Sequence, residues 1–182
     1  MAGGIEYNEK KLKELVLYVA NRSFDDPFFG KTKLNKVLYF SDFQSFRQHG
    51  VSISGAVYQH LPQGPCPQRM LPVLNSLESE NGVAIVPEDV AGLAQERIVA
   101  MRSPEIELFT KEDVIVVEEV LTLLRKLTNT QASEKSHVTM SWKLTRNKQE
   151  IPYGAALFSS AEPSEEDLAW LESVDSDGLV GA

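Results

Sequence analysis

The sequence predicts an α+β fold: a single, mainly helical domain around a buried central helix at about residues 31–48, with a small antiparallel β-sheet. Three observations lead there. Residues 31–48 carry Leu34, Val37, Leu38, Tyr39, Phe40, Phe43 and Phe46, more than one apolar stripe, so that helix is predicted to be buried on much of its circumference. Several further segments repeat apolar residues at i, i+3, i+4, i+7. Short alternating stretches with β-branched residues lie between them.

Residues 8–21 form a first helix, with Asn8 as N-cap and Leu12, Leu15, Val16 and Val19 on one face. Pro27 breaks the chain between this helix and the next, because the residue before a proline is pushed out of helical geometry. The central helix ends at His49-Gly50, where glycine can take the left-handed stop. Residues 51–61 alternate and are read as a strand or two short ones, with Gly55 at a bulge or bend. Pro62-Gln-Gly-Pro-Cys-Pro67 is read as a rigid irregular turn. Met70, Leu71, Leu74 and Leu77 restore helical spacing over 68–80. Residues 83–87 and 96–102 form two strands joined by an acidic loop. Thr110-Lys-Glu-Asp113 resembles a capping box and opens a helix to about Leu127. A short helix is predicted over 131–142, then Ile151-Pro-Tyr153 leads into an apolar Ala156-Leu-Phe158. Ser164 starts a last amphipathic helix bearing Leu168, Leu171 and Val174, and the final eight residues are expected to be disordered.

Composition narrows the function. The chain has 182 residues, 42% hydrophobic and 24% charged, with 26 acidic against 18 basic side chains and a net charge of -8. Residues 161–182 hold seven acids and no Lys or Arg, so residues 1–160 carry 19 acids against 18 bases. The division is therefore a nearly neutral domain at 1–160 and an acidic helix and tail at 161–182. No general basic footprint exists, which weighs against nucleic acid as a partner. No apolar run approaches the ~18 residues of a membrane span, and the first residues lack a signal-peptide core. One cysteine, Cys66, excludes an intramolecular disulfide and a cysteine-based zinc site. With three scattered histidines, no metal ligand set and no cofactor are assigned. A reducing cytoplasm is the natural setting. No phosphate loop and no N-myristoylation pattern occur.

Two chemical constellations can be assembled from these residues. A thiol hydrolase would use Cys66 as nucleophile, His60 or His137 as base and Asp42 to orient the imidazole. Cys66 lies between two prolines, in extended geometry far from the helix N-terminus that would lower its pKa, so no catalytic residue is assigned. The second is structural. Asp42 falls on or beside the core face of the central helix, where a carboxylate is costly without a partner. His137 is the expected donor to it. Lys31, Lys33 and Lys36, and later Lys143, Arg146 and Lys148, are read as solvated faces.

Lys33-Leu-Asn-Lys-Val-Leu-Tyr-Phe-Ser-Asp-Phe43 resembles the opening signature of the Panacea domain, the SocA-like antitoxin domain, K-L-x-K-L-L-Y-F-A-D-x, with Val37 and Ser41 as conservative departures. Gly55-Ala-Val-Tyr58 resembles its G-x-x-Y element and Gly64-Pro-Cys-Pro67 its G-P-x-P turn. Ser136-His137 with Trp142, then Ile151-Pro-Tyr153 and Ala156, is similar to its closing pattern. The matches keep the family's order over about residues 10–160. The resemblance implies a non-enzymatic antitoxin that neutralises a cognate protein toxin by direct contact. The family's namesake also delivers its toxin to the ClpXP protease, so a ClpXP-type protease is a second implied partner. Many relatives carry an additional N-terminal region, often DNA-binding, and this chain would be the bare domain. The family's link to mobile elements also leaves a phage regulatory adaptor without a toxin as an alternative. Partner-binding candidates are Tyr58, His60, Gly64, Pro65, Pro67 and Trp142. The same residues could instead shape a turn or fill the core.

Overall fold

The computed structural model describes residues 5–158. Helix α1, Glu9–Arg22, starts where the Asn8 side chain accepts from Lys11 N at 2.9 Å. It buries Leu12, Leu15, Val16 and Val19, the face expected from their spacing. Helix α2, Lys31–His49, ends on Gly50 at φ +76°, whose amide donates to Phe46 O. Eleven of its residues are buried, so it is the central helix. Leu34, Val37 and Leu38 pack into the core, and so do polar Lys33, Asn35, Lys36 and Asp42.

The next segment differs from its expected form. The strand predicted from residue 51 is confined to β1, Tyr58–Leu61. Residues 51–57 instead wrap the end of α2, with Gly55 at φ +67° and its backbone pressed against Glu6 O, where a Cβ would come within 2.1 Å. The proline-rich segment read as an irregular turn is in fact β2, Gly64–Pro67, antiparallel to β1 with Tyr58 opposite Pro67 and Leu61 opposite Gly64. Two prolines are tolerated because β2 is an edge strand. Pro65 and Pro67 alternate with Gly64 and Cys66, which keep their amides for the ladder, and Gln68 N continues it to Val57 O at 2.9 Å. The other flank of β1 pairs with β5, Glu150–Ile151, giving the order β2-β1-β5.

Helix α3, Met70–Ser79, leads to a separate two-stranded ribbon of β3, Val83–Val90, and β4, Leu93–Ala100. The expected acidic loop is absorbed into this ladder, since Glu88 pairs with Gln95 and Asp89 with Ala94. Only Ala91 and Gly92, at φ +54° and +82°, make the turn. Helix α4, Lys111–Leu124, opens with the expected capping box of Thr110 and Asp113. Where one short helix is predicted there are two: α5, Asn129–His137, and α6, Met140–Lys143. Thr139 separates them by capping α6, accepting from Trp142 N at 3.3 Å. A 3-10 turn at Tyr153–Leu157 closes the core against α2, with Tyr153 stacked on Phe43 at 4.6 Å. The helix expected from Ser164 and the tail after it lie outside the described residues. No described helix is long and apolar enough to cross a membrane.

Candidate functional site

The three-stranded sheet and helices α5 and α6 bring His60, His137 and Trp142 together. The His60 ring lies 3.3 Å from the indole and 18° from parallel, and the His137 ring 4.3 Å and 17°. His60 is fixed on β1, whose amide donates to Gln149 O and whose carbonyl accepts from Lys148 N. Its Nδ1 is 3.0 Å from Thr145 Oγ1. Thr145 Oγ1 also lies 3.1 Å from the carbonyls of Ser141 and Trp142, so the hydroxyl ties the His60 ring to the main chain of α6. Burial lowers the pKa of both histidines, aided by a basic neighbour of each: His137 beside His60, Lys36 beside His137. Burial thus favours the uncharged imidazole in both rings. His60 and Trp142 are half-buried, and Pro62 and Gln63 at the hairpin turn are exposed.

Lys36 lies beneath the hairpin. Its Nζ donates to Pro65 O at 3.2 Å, and burial lowers its pKa to about 8. Gly64, at φ +102°, allows this approach, since a Cβ there would meet Lys36 Cε at 2.4 Å. Ser133 Oγ donates to Gln63 O at 2.9 Å and ties the turn to α5. The hairpin is thus held from below and from the side. Lys33 is also buried, 2.7 Å from Asp26. The solvated-face reading therefore fails for Lys33 and Lys36, because their stems belong to a helix surrounded on most sides. Lys143, Arg146 and Lys148 do lie at the surface.

The Asp42–His137 pair does not form. The Asp42 carboxylate accepts from Ser54 N at 2.7 Å, Ser54 Oγ at 2.6 Å and Tyr58 Oη at 2.7 Å. The segment after α2 folds back over Asp42 and supplies these donors locally, while His137 is committed to the indole. Burial still raises the carboxyl pKa, opposed by those hydrogen bonds.

Of the six partner-binding candidates, Tyr58, Gly64, Pro65 and Pro67 are buried. Their role here is to build the hairpin and its floor, leaving His60 and Trp142 as the reachable members. The thiol constellation is not assembled either. Cys66 Sγ points to Pro67 O at 3.5 Å, burial raises its pKa, and both candidate bases stack on Trp142. Among the described residues no group of three or more His, Cys, Asp and Glu could hold a metal ion.

Beside the stack, an open groove of about 840 Å3 runs between α2, the hairpin turn, the β3–β4 ribbon and α5, with His137 in its wall. Two of its residues, Asn35 and Asn129, do not stand out among the sequence candidates. Asn35 carries a usable signal, a carboxamide inside the apolar run of the central helix. Asn129 carries none beyond its place after a helix cap.

A sequence model described as Antitoxin SocA-like, Panacea domain matches residues 34–143. No curated protein and no solved structure matches the chain.

Proposed function

The chain belongs to the SocA-like Panacea domain family of antitoxin-like proteins, and we propose that it neutralises a cognate protein toxin in the cytoplasm by binding it directly through the His60–Trp142 face. The observation that carries this reading is the half-buried indole of Trp142 on α6, stacked on His60 of the braced hairpin and on His137 of α5. Aromatic anchors in well-packed surroundings supply most of the energy of protein interfaces. An anchor already ordered in the free protein loses little entropy on binding. Two imidazoles whose uncharged form is favoured by burial lie beside the indole and offer hydrogen bonds at a lower desolvation cost than a fixed charge. On this reading residues 1–160 form the toxin-binding domain and 161–182 an acidic appendage to it.

The reading is tested by co-expressing the chain with each small reading frame found next to its gene. Growth arrest by one such product alone, relieved by the wild-type chain and by Cys66→Ser alike, supports it. Loss of relief in a folded Cys66→Ser protein would favour thiol chemistry instead. Delivery of the bound toxin to a ClpXP-type protease is the finer part of the proposal. It requires the toxin's half-life to shorten when chain and protease are both present.

A further inference from the structure

A second groove, of about 560 Å3, lies between the C-terminal half of α2, the α5–α6 junction and the 3-10 turn at Tyr153–Leu157. Its lining is mostly apolar. Phe43 and Met140 are its buried members, Phe40 and Phe158 are half-buried, and Val138 is 63% exposed. Leu157, next to Phe158 in the chain, is 59% exposed. Apolar surface gathered in a concave site marks a place where another element docks. Arg47 also lines the groove; it is exposed, and among the described residues its guanidinium has no ion-pair partner. Phe158 is both a wall of the groove and the last described residue, so residues 159–182 continue directly from it.

We propose that residues 164–174 of this same chain seat in the groove as a helix, with Leu168, Leu171 and Val174 against its aromatic side chains and Asp167 beside Arg47. The inference stands apart from the toxin-binding reading. The tether is only residues 159–163, which span at most about 20 Å from Phe158 when fully extended. A tether this short holds the segment at an effective concentration on the order of millimolar, so a free partner of similar chemistry is outcompeted. At about 100° per residue, Leu168, Leu171 and Val174, with Trp170 at the edge, span about 160° of one helix face. Asp167 falls inside that arc, where a carboxylate laid against apolar surface needs a cation, and Arg47 is the unpaired cation of the groove. Glu165, Glu166 and Glu172 fall on the opposite side, as a solvent-facing flank requires. Met140 and Ser141 of the groove precede Trp142 on α6, so the docked segment braces the short helix that carries the indole.

The test uses the full-length chain and no toxin, so its outcome is independent of the toxin-binding reading. A benzophenone photo-crosslinker at the exposed position 138 is expected to link to a peptide within 164–174, in a product of monomer mass. Leu168→Asp with Leu171→Asp should lower the yield of that product at least fivefold, and Arg47→Glu at least twofold. The first pair lies outside the core of residues 5–158 and Arg47 is exposed, so the circular dichroism of residues 5–158 is not put at risk by either change. Amide exchange read in the chain without the crosslinker should show residues 164–174 protected at least tenfold over unstructured rates, and the double leucine variant should lose that protection. Absence of a link to 164–174, or a yield unchanged in either variant, would overturn the proposal. A product of dimer mass would also overturn it, because the segment would then occupy the groove of a second copy.

Discussion

Tyr58 donates its phenolic hydrogen to the Asp42 carboxylate at 2.7 Å, and both residues are fully buried. The bond links strand β1 to the central helix and sets where the hairpin lies over α2. Replacing Tyr58 by Phe removes one donor from a carboxylate that keeps two from Ser54. The expected cost is about 1.5–3 kcal/mol, the range for a hydrogen bond to a charged group. Chemical denaturation of Tyr58→Phe measures it. His137→Ala should leave the Asp42 carboxyl resonance unmoved, because the carboxylate takes its donors from Ser54 and Tyr58.

Lys33 and Asp26 form an ion pair in which the side chains are 1% and 3% exposed. Lys33→Ala strands a buried carboxylate, and the expected loss is about 3–5 kcal/mol. The double variant Lys33→Met, Asp26→Leu should lose less than the sum of the two single changes. A double-mutant cycle by urea denaturation gives the coupling.

Lys36 gives a pH dependence of definite sign. In the folded chain burial lowers its pKa to about 8, against an ordinary 10.5. Between those values the unfolded chain binds a proton that the folded chain has released, so this group makes stability rise as pH rises from about 8 to 10.5. The full contribution is on the order of 3 kcal/mol. Lys36→Met should abolish the rise. The stability difference between variant and wild type, measured from pH 7 to 10, isolates it from other titrating groups.

Gly64→Ala puts a methyl group 2.4 Å from Lys36 Cε at a positive φ of +102°. Strain of this kind costs about 1–3 kcal/mol before the collision with Lys36 is relieved. A lowered melting temperature that Lys36→Ala partly restores would identify the contact.

Much of this is legible in the sequence, for identifiable reasons. The central helix, α1 and α4 can be read because their apolar periodicity and caps are local properties: Asn8, Gly50 and the Thr110–Asp113 box need no tertiary information. The β1–β2 hairpin cannot, because what makes Gly64–Pro67 a strand is its edge position beside β1, and three prolines in six residues resemble a turn until that position is known. The buried lysines are hidden likewise, since Lys33 finds Asp26 seven residues upstream and Lys36 finds Pro65 across the fold. At the site, His60, His137 and Trp142 stand out as residue types, but their stacking depends on the α5–α6 break at Thr139. The position of Asp42 in the central helix does reveal a buried carboxylate in need of donors. Those donors come from Ser54 and Tyr58, in a segment whose alternation suggests a strand.

Direct titration of the purified chain, run beside Trp142→Ala, uses as toxin the product of a neighbouring reading frame that arrests growth when expressed alone. A toxin-binding face anchored on Trp142 predicts a stable complex with the wild-type chain. It also predicts at least tenfold weaker binding, about 1.4 kcal/mol, in a Trp142→Ala protein with wild-type circular dichroism. Failure of the wild-type chain to bind the toxin, or equal binding by the folded variant, would contradict it.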